Sequence, residues 1–160
     1  MWSSYIKGFR AYLQLEKSLS QNSVDAYLHD VWMLAEFFSV KKEQIAFDNI
    51  ELKHLQDFVA SIHELEMAAS SQARIISGIK AFFNYLMLED IIKANPTELL
   101  EAPKLQRTLP DVLSAEEVDE LFLGIDHSKP EGQRNRAILE TMYSCGLRVS
   151  EVISLELTNL

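Results

Sequence analysis

A single cysteine, Cys145, stands in the whole chain, which excludes an intramolecular disulfide and any zinc site built on cysteine pairs. The four histidines, His29, His54, His63 and His127, lie far apart and show no metal-ligand spacing. No apolar run approaches the ~20 residues needed to cross a bilayer. The opening Met-Trp-Ser-Ser-Tyr-Ile-Lys lacks the apolar stretch of a secretion signal, so the cytoplasm is the expected compartment. Glycine and proline are scarce, five and four in 160 residues, and no segment alternates apolar and polar residues for long. Helices joined by short connections are expected.

Positive charge is also in short supply. The formal net charge is −9, which argues at first sight against DNA binding, since non-specific affinity comes from cations that displace counterions from phosphates. The deficit is uneven. Residues 1–110 carry 11 Lys/Arg against 14 Asp/Glu, whereas residues 111–160 carry 4 against 10. What matters is whether one face is locally basic.

Apolar residues make up 48% of the chain, ample for a buried core. Tyr5, Ile6, Phe9, Tyr12 and Leu13 recur at helical spacing and predict a first helix from about Ser3 to Lys17. Val24, Leu28, Val31, Leu34, Ala35 and Phe38 predict a second, with Asn22 as N-cap and an end near Val40. A third is expected from about Ile50, through Leu55, Phe58 and Ile62. The fourth has the clearest periodicity: Ile75, Ile76, Ile79, Phe82, Phe83 and Leu86 share one arc, and Ser70, Arg74, Ser77, Lys80 and Asn84 share another. Between Ala68 and Met87 the only charges are Arg74 and Lys80. After Asn95-Pro96 a short helix is expected over 97–101.

Residues 102–113, with two prolines and two cations but no helical period, read as a linker. Ser114 then suits an N-cap, with Glu117 at the capping-box position. Pro130 opens a further helix that Gly146 would stop in a left-handed turn. A short amphipathic turn through Val152, Ile153 and Leu155 follows.

Two places could carry chemistry. Arg74, Ser77 and Lys80 on an exposed helical stripe could reach phosphates and base edges in a major groove; the plainer alternative is a solvated helix face. Arg148 stands just after a glycine turn at a helix start, where the helix dipole disfavours a cation. Glu151, three residues on, is in reach to hold it, and a carboxylate-held guanidinium makes a good phosphate clamp; the alternative is a surface ion pair. Trp2 and Trp32 read as packing residues, and Cys145 as a small buried hydrophobe.

Taken in order, these segments resemble the tyrosine recombinase (lambda-integrase-like) family, and within it the Xer type. The resemblance lies in residues 19–30 (Leu-Ser-Gln-Asn-Ser-Val-Asp-Ala-Tyr-Leu-His-Asp), in 71–86 around Arg74 and Lys80, and in Ile92-Lys-Ala-Asn-Pro96. It continues through Ala102-Pro-Lys104, Leu113-Ser-Ala-Glu-Glu-Val and Gly146-Leu-Arg-Val-Ser-Glu151, covering essentially the whole chain. It implies an all-α protein: a four-helix core-binding (SAM-like) domain over 1–105, a linker over 106–113, and the first helices of a truncated catalytic domain over 114–160. Arg74, Ser77 and Lys80 would then face the major groove, Asn22 and Ser23 would meet phosphates, and Lys104 and Arg107 would follow the backbone. Arg148 would bind the scissile phosphate, with Glu151 orienting it.

The resemblance further implies tyrosine attack on a phosphodiester, without metal, ATP or other cofactor. No His-x-x-Arg block follows any of the four histidines. The five tyrosines lie in segments that read as packing, so this stretch alone is not expected to cleave DNA. The expected partners are duplex DNA and other recombinase subunits, with no membrane, and chromosome dimer resolution is the expected role. A mobile-element integrase and a non-catalytic helical protein-interaction module stand as alternatives. Apolar helix faces beyond Pro110 are expected to favour self-association or disorder.

Overall fold

The structure, a computed structural model, describes residues 2–41, 45–105, 109–156 and 158. Among these there are seven α-helices and no strand. The chain divides into two compact units, Met1–Arg107 and Thr108–Leu160.

The first unit holds α1 (Trp2–Ala11), α2 (Gln21–Val40), α3 (Leu52–Glu64) and α4 (Ala69–Leu88). The expected first helix is shorter than its apolar period suggests. After Ala11 the chain widens into a π-helical turn, Tyr12–Glu16, closed by the Lys17 amide donating to the Tyr12 carbonyl at 3.1 Å. Leu13 remains buried there. The N-cap of α2 is Ser20 rather than Asn22: the Ser20 hydroxyl accepts from the Ser23 amide at 3.4 Å, and Asn22 falls inside the first turn. Glu51 starts α3, with the His54 ring accepting its amide at 3.0 Å.

Helices α2 and α4 pack against each other along their lengths and form the centre of the unit. Their apolar faces supply Val24, Val31, Leu34, Ile75, Ile79 and Phe82 to one buried cluster, joined by Phe9 from α1 and Leu55 and Phe58 from α3. Phe82 is the hub of the aromatic packing: its ring centroid lies 5.3 Å from Phe9, 6.0 Å from Trp2 and 6.0 Å from Phe47. Trp2 is therefore a packing residue, and Trp32 is about half exposed. Beyond α4, residues 96–99 form hydrogen-bonded turns in place of the expected helix. There the Asn95 side-chain oxygen accepts both the amide and the hydroxyl of Thr97, at 2.9 and 2.7 Å, in an Asx turn.

The second unit holds α5 (Ala115–Leu123), α6 (Pro130–Cys145) and α7 (Val149–Ile153). The capping box of α5 is formed: Glu117 N–H donates to Ser114 Oγ at 3.2 Å, and Ser114 N–H donates to Glu117 Oε2 at 2.8 Å. Pro130 occupies the first turn of α6, and Gly146 ends it at φ 64°, a conformation that disfavours any Cβ. Burial here is thin. Val118 is the only buried residue among those described in this unit, and Leu123, Val149 and Ile153 face solvent. Cys145 is likewise exposed, against the expectation of a buried thiol.

Candidate nucleic-acid interface

The exposed side of α4 follows directly from its period. With Ile75, Ile76, Ile79, Phe82, Phe83 and Leu86 turned into the core, Ser70, Arg74, Ser77 and Asn84 are left outside, and Lys80 lies half-buried at the flank. No carboxylate interrupts the helix. Four of these residues divide between two separate cavities, and Ser70 lines neither.

Arg74 and Ser77 border a cleft of about 220 Å³ between α4 and α2, completed by Ser23, Ala26, Tyr27 and Asp30. At its base the Arg74 Nη1 donates to Asp30 Oδ2 at 2.8 Å. Asp30 is 1% exposed, while about half of the Arg74 side chain faces solvent (49%). Burial raises the Asp30 carboxyl above its ordinary range; the Arg74 guanidinium pulls the other way, as does nearby His29 more weakly. Oδ1 of the same carboxylate has no hydrogen-bond partner among the described residues. Ser77 turns its hydroxyl back onto the Ala73 carbonyl at 3.0 Å, which leaves its oxygen lone pairs facing outward.

Lys80 borders the other cavity, an open groove of about 620 Å³ lined also by Asn84, Lys93, Asn95, Thr97 and Glu98. Asn95 donates to Asn84 Oδ1 at 2.7 Å, tying the segment after α4 back to the helix. Lys93 thereby lines the same groove as Lys80. Neither lysine has an ion-pair partner within 4.0 Å among the described residues.

Ser23 lines the first cleft, whereas Asn22, one residue earlier, is exposed and outside it. Lys104 is exposed in a non-helical stretch, and Arg107 lies outside the described residues. In the second unit, Arg148 N–H donates to Glu151 Oε2 at 2.7 Å and its Nη1 donates to Oε1 at 3.3 Å. The carboxylate thus holds both ends of the arginine, yet the Arg148 side chain is 83% exposed and its remaining donors are free among the described residues. Sequence reasoning passed over Asp30 and Lys93. Asp30 could have been found as the one carboxylate on the apolar stripe of α2; Lys93 carries no periodic signal because it lies outside any helix.

Residues 6–90 match the family described as phage integrase, N-terminal SAM-like domain. That match covers more than half of the chain. The chain belongs to the phage integrase family, by its N-terminal SAM-like domain. It is 38% identical over 152 residues to tyrosine recombinase XerC of Herpetosiphon aurantiacus, covering 94% of this chain and 49% of that protein. Tyrosine recombinase XerC of Natranaerobius thermophilus is 37% identical, over 95% of this chain and 50% of its own length. Tyrosine recombinase XerD of Staphylococcus haemolyticus is 35% identical over 156 residues, 97% of this chain and 52% of that protein. The chain therefore spans about half the length of these recombinases, and it resembles XerC and XerD proteins alike. The all-α, SAM-like architecture expected from sequence is the architecture found. No helix among the described residues is long and apolar enough to cross a membrane.

Proposed function

We propose that this chain is a duplex-DNA-binding part of a site-specific recombinase, with residues 1–105 forming one half of a clamp around the double helix. In this reading 106–113 is the linker and 114–160 begins the catalytic domain. Arg74, Ser77 and Lys80 face the major groove, Asn22 and Ser23 meet phosphates, and Lys104 and Arg107 follow the backbone past it. We add Lys93 to the phosphate contacts, because it shares the Lys80 groove. The supporting observation is the outer face of α4, which carries cations, hydroxyls and amides and no carboxylate in a chain of net charge −9.

Arg148 is the proposed clamp on the scissile phosphate, where a fixed cation stabilises charge that builds in the transition state. Glu151 orients it through the two bonds described above. The tyrosine nucleophile, and with it strand cleavage, belongs to the whole recombinase, which we take to assemble as several subunits on cytoplasmic DNA. The likeness to Xer proteins favours resolution of chromosome dimers over mobile-element integration.

The test is a gel-shift titration of the chain on duplex DNA at two salt concentrations. Three to five phosphate contacts give a slope of log K against log salt of about −3 to −4.5. Salt-independent binding, or none, would remove the proposal and favour a protein-interaction module.

A further inference from the structure

We propose that Asp30 is a specificity-determining positioning residue: it neutralises Arg74 and fixes it at the cleft mouth, so that Arg74 meets DNA as a base-edge donor rather than as a phosphate-binding cation. The inference rests on the DNA-binding reading above and concerns what one of its residues reads.

Asp30 is costly where it stands. A carboxylate buried on the apolar stripe of α2 gives up its hydration, and one of its oxygens finds no partner among the described residues. An apolar residue there would pack against α4 more favourably. Room for the carboxylate also requires glycine opposite: a Cβ on Gly78 would stand 2.5 Å from Asp30 Oδ2 and 2.9 Å from its Cβ. Replacing a buried charge pair by well-packed apolar residues is often neutral or stabilising, so stability alone does not call for a carboxylate here. What Asp30 does is hold Arg74.

Only Nη1 of Arg74 is bound, leaving Nε and Nη2 without partners among the described residues. They belong to a half-exposed side chain that lines the cleft with Ser23, Tyr27 and Ser77. A guanidinium held at one corner and free at another is fixed in direction, which hydrogen bonding to a base edge requires and phosphate attraction does not.

A cation paired at 2.8 Å presents a dipole, not a net charge, to an approaching phosphate and displaces little counterion. Lys80, with no ion-pair partner within 4.0 Å among the described residues, keeps its full effect. The two cations of α4 thus divide the work: Lys80 supplies affinity and Arg74 supplies reading.

The experiment compares salt slopes on a random-sequence duplex for the unaltered chain, Asp30→Asn, and the double variant Asp30→Asn with Arg74→Ala, after circular dichroism has established folding. Freeing Arg74 in Asp30→Asn should steepen the slope by about 0.9, and removing both charges should return it to the unaltered value. Lys80→Ala should make it shallower by about 0.9. If Asp30→Asn does not fold, the double variant decides alone: an unchanged slope supports the inference, and one shallower by about 0.9 overturns it, because Arg74 was then acting as a free cation. A steepening absent from a folded Asp30→Asn also overturns it. Loss of all salt-dependent binding in the unaltered chain is a different result, which removes the DNA-binding reading itself and this inference with it.

Discussion

Gly78 faces Asp30 across the α2–α4 contact so closely that no side-chain atom fits between them. In an ordinary helix interior alanine is favoured over glycine by about 1 kcal/mol. Here the order should reverse, because a methyl group must displace a carboxylate already held by Arg74. We expect Gly78→Ala to destabilise the chain by about 1–3 kcal/mol, the usual cost of overpacking, read as a lower urea midpoint. A neutral or stabilising result would mean that the helices separate easily at this point.

Asp30 should also leave a mark on the pH dependence of stability. Its folded carboxyl is raised above the ordinary value of 3.8 by burial, against the pull of Arg74 and His29. Between the unfolded and folded values the folded state holds more protons, so Asp30 favours folding below the unfolded value. That contribution is lost as pH rises through the folded value. Urea midpoints of the unaltered chain, set against Asp30→Asn, should therefore fall relative to the variant as pH increases from about 4. An opposite trend would show that Arg74 outweighs burial.

The two units should differ in resistance to proteolysis. Residues 2–105 share a cluster of more than twenty buried side chains, whereas the described part of the second unit buries Val118 alone. Local opening is easiest where buried apolar contact is sparse. Limited trypsin digestion should cut first at Arg134, Arg136 or Arg148 and leave a product that retains α1–α4. Early cleavage at Arg74 or Lys80 would contradict the assignment of the stable core.

Arg148 and Lys80 should separate in a full-length recombinase of this family carrying these residues. Arg148→Ala should abolish cleavage while keeping most DNA affinity, and Lys80→Ala should weaken binding first. Glu151→Gln should fall between, slowing cleavage less than loss of the arginine. Retained cleavage in the Arg148 variant would end its catalytic assignment.

Much of this fold is legible in the sequence because its helices are strongly periodic. Ile75 through Leu86 define the buried face of α4, and Ser114, Glu117, Pro130 and Gly146 mark helix ends by side-chain or backbone chemistry. What escaped the sequence lies in competition between near-equal local signals. Ser20 and Asn22 are both good N-caps, and the hydroxyl two residues earlier takes the amide. Residues 96–99 form turns where a helix is expected, although Asn95 accepts the Thr97 amide as a helix N-cap would. The candidate site was legible as a stripe on α4, yet not as two cavities. The Arg74–Asp30 pair joins residues 44 apart in sequence, and the Lys80 groove depends on a non-helical segment returning through Asn95.

The central claim is that the outer face of α4 meets a double helix. It is tested most directly by titrating the isotope-labelled chain with duplex DNA and following its amide and side-chain resonances. The account predicts shifts concentrated at Ser70–Asn84 on the exposed side of α4, the first turn of α2 and Lys93, diminishing as salt is raised. Shifts confined to α3 or to α5–α7, or no shifts at low salt, would contradict it.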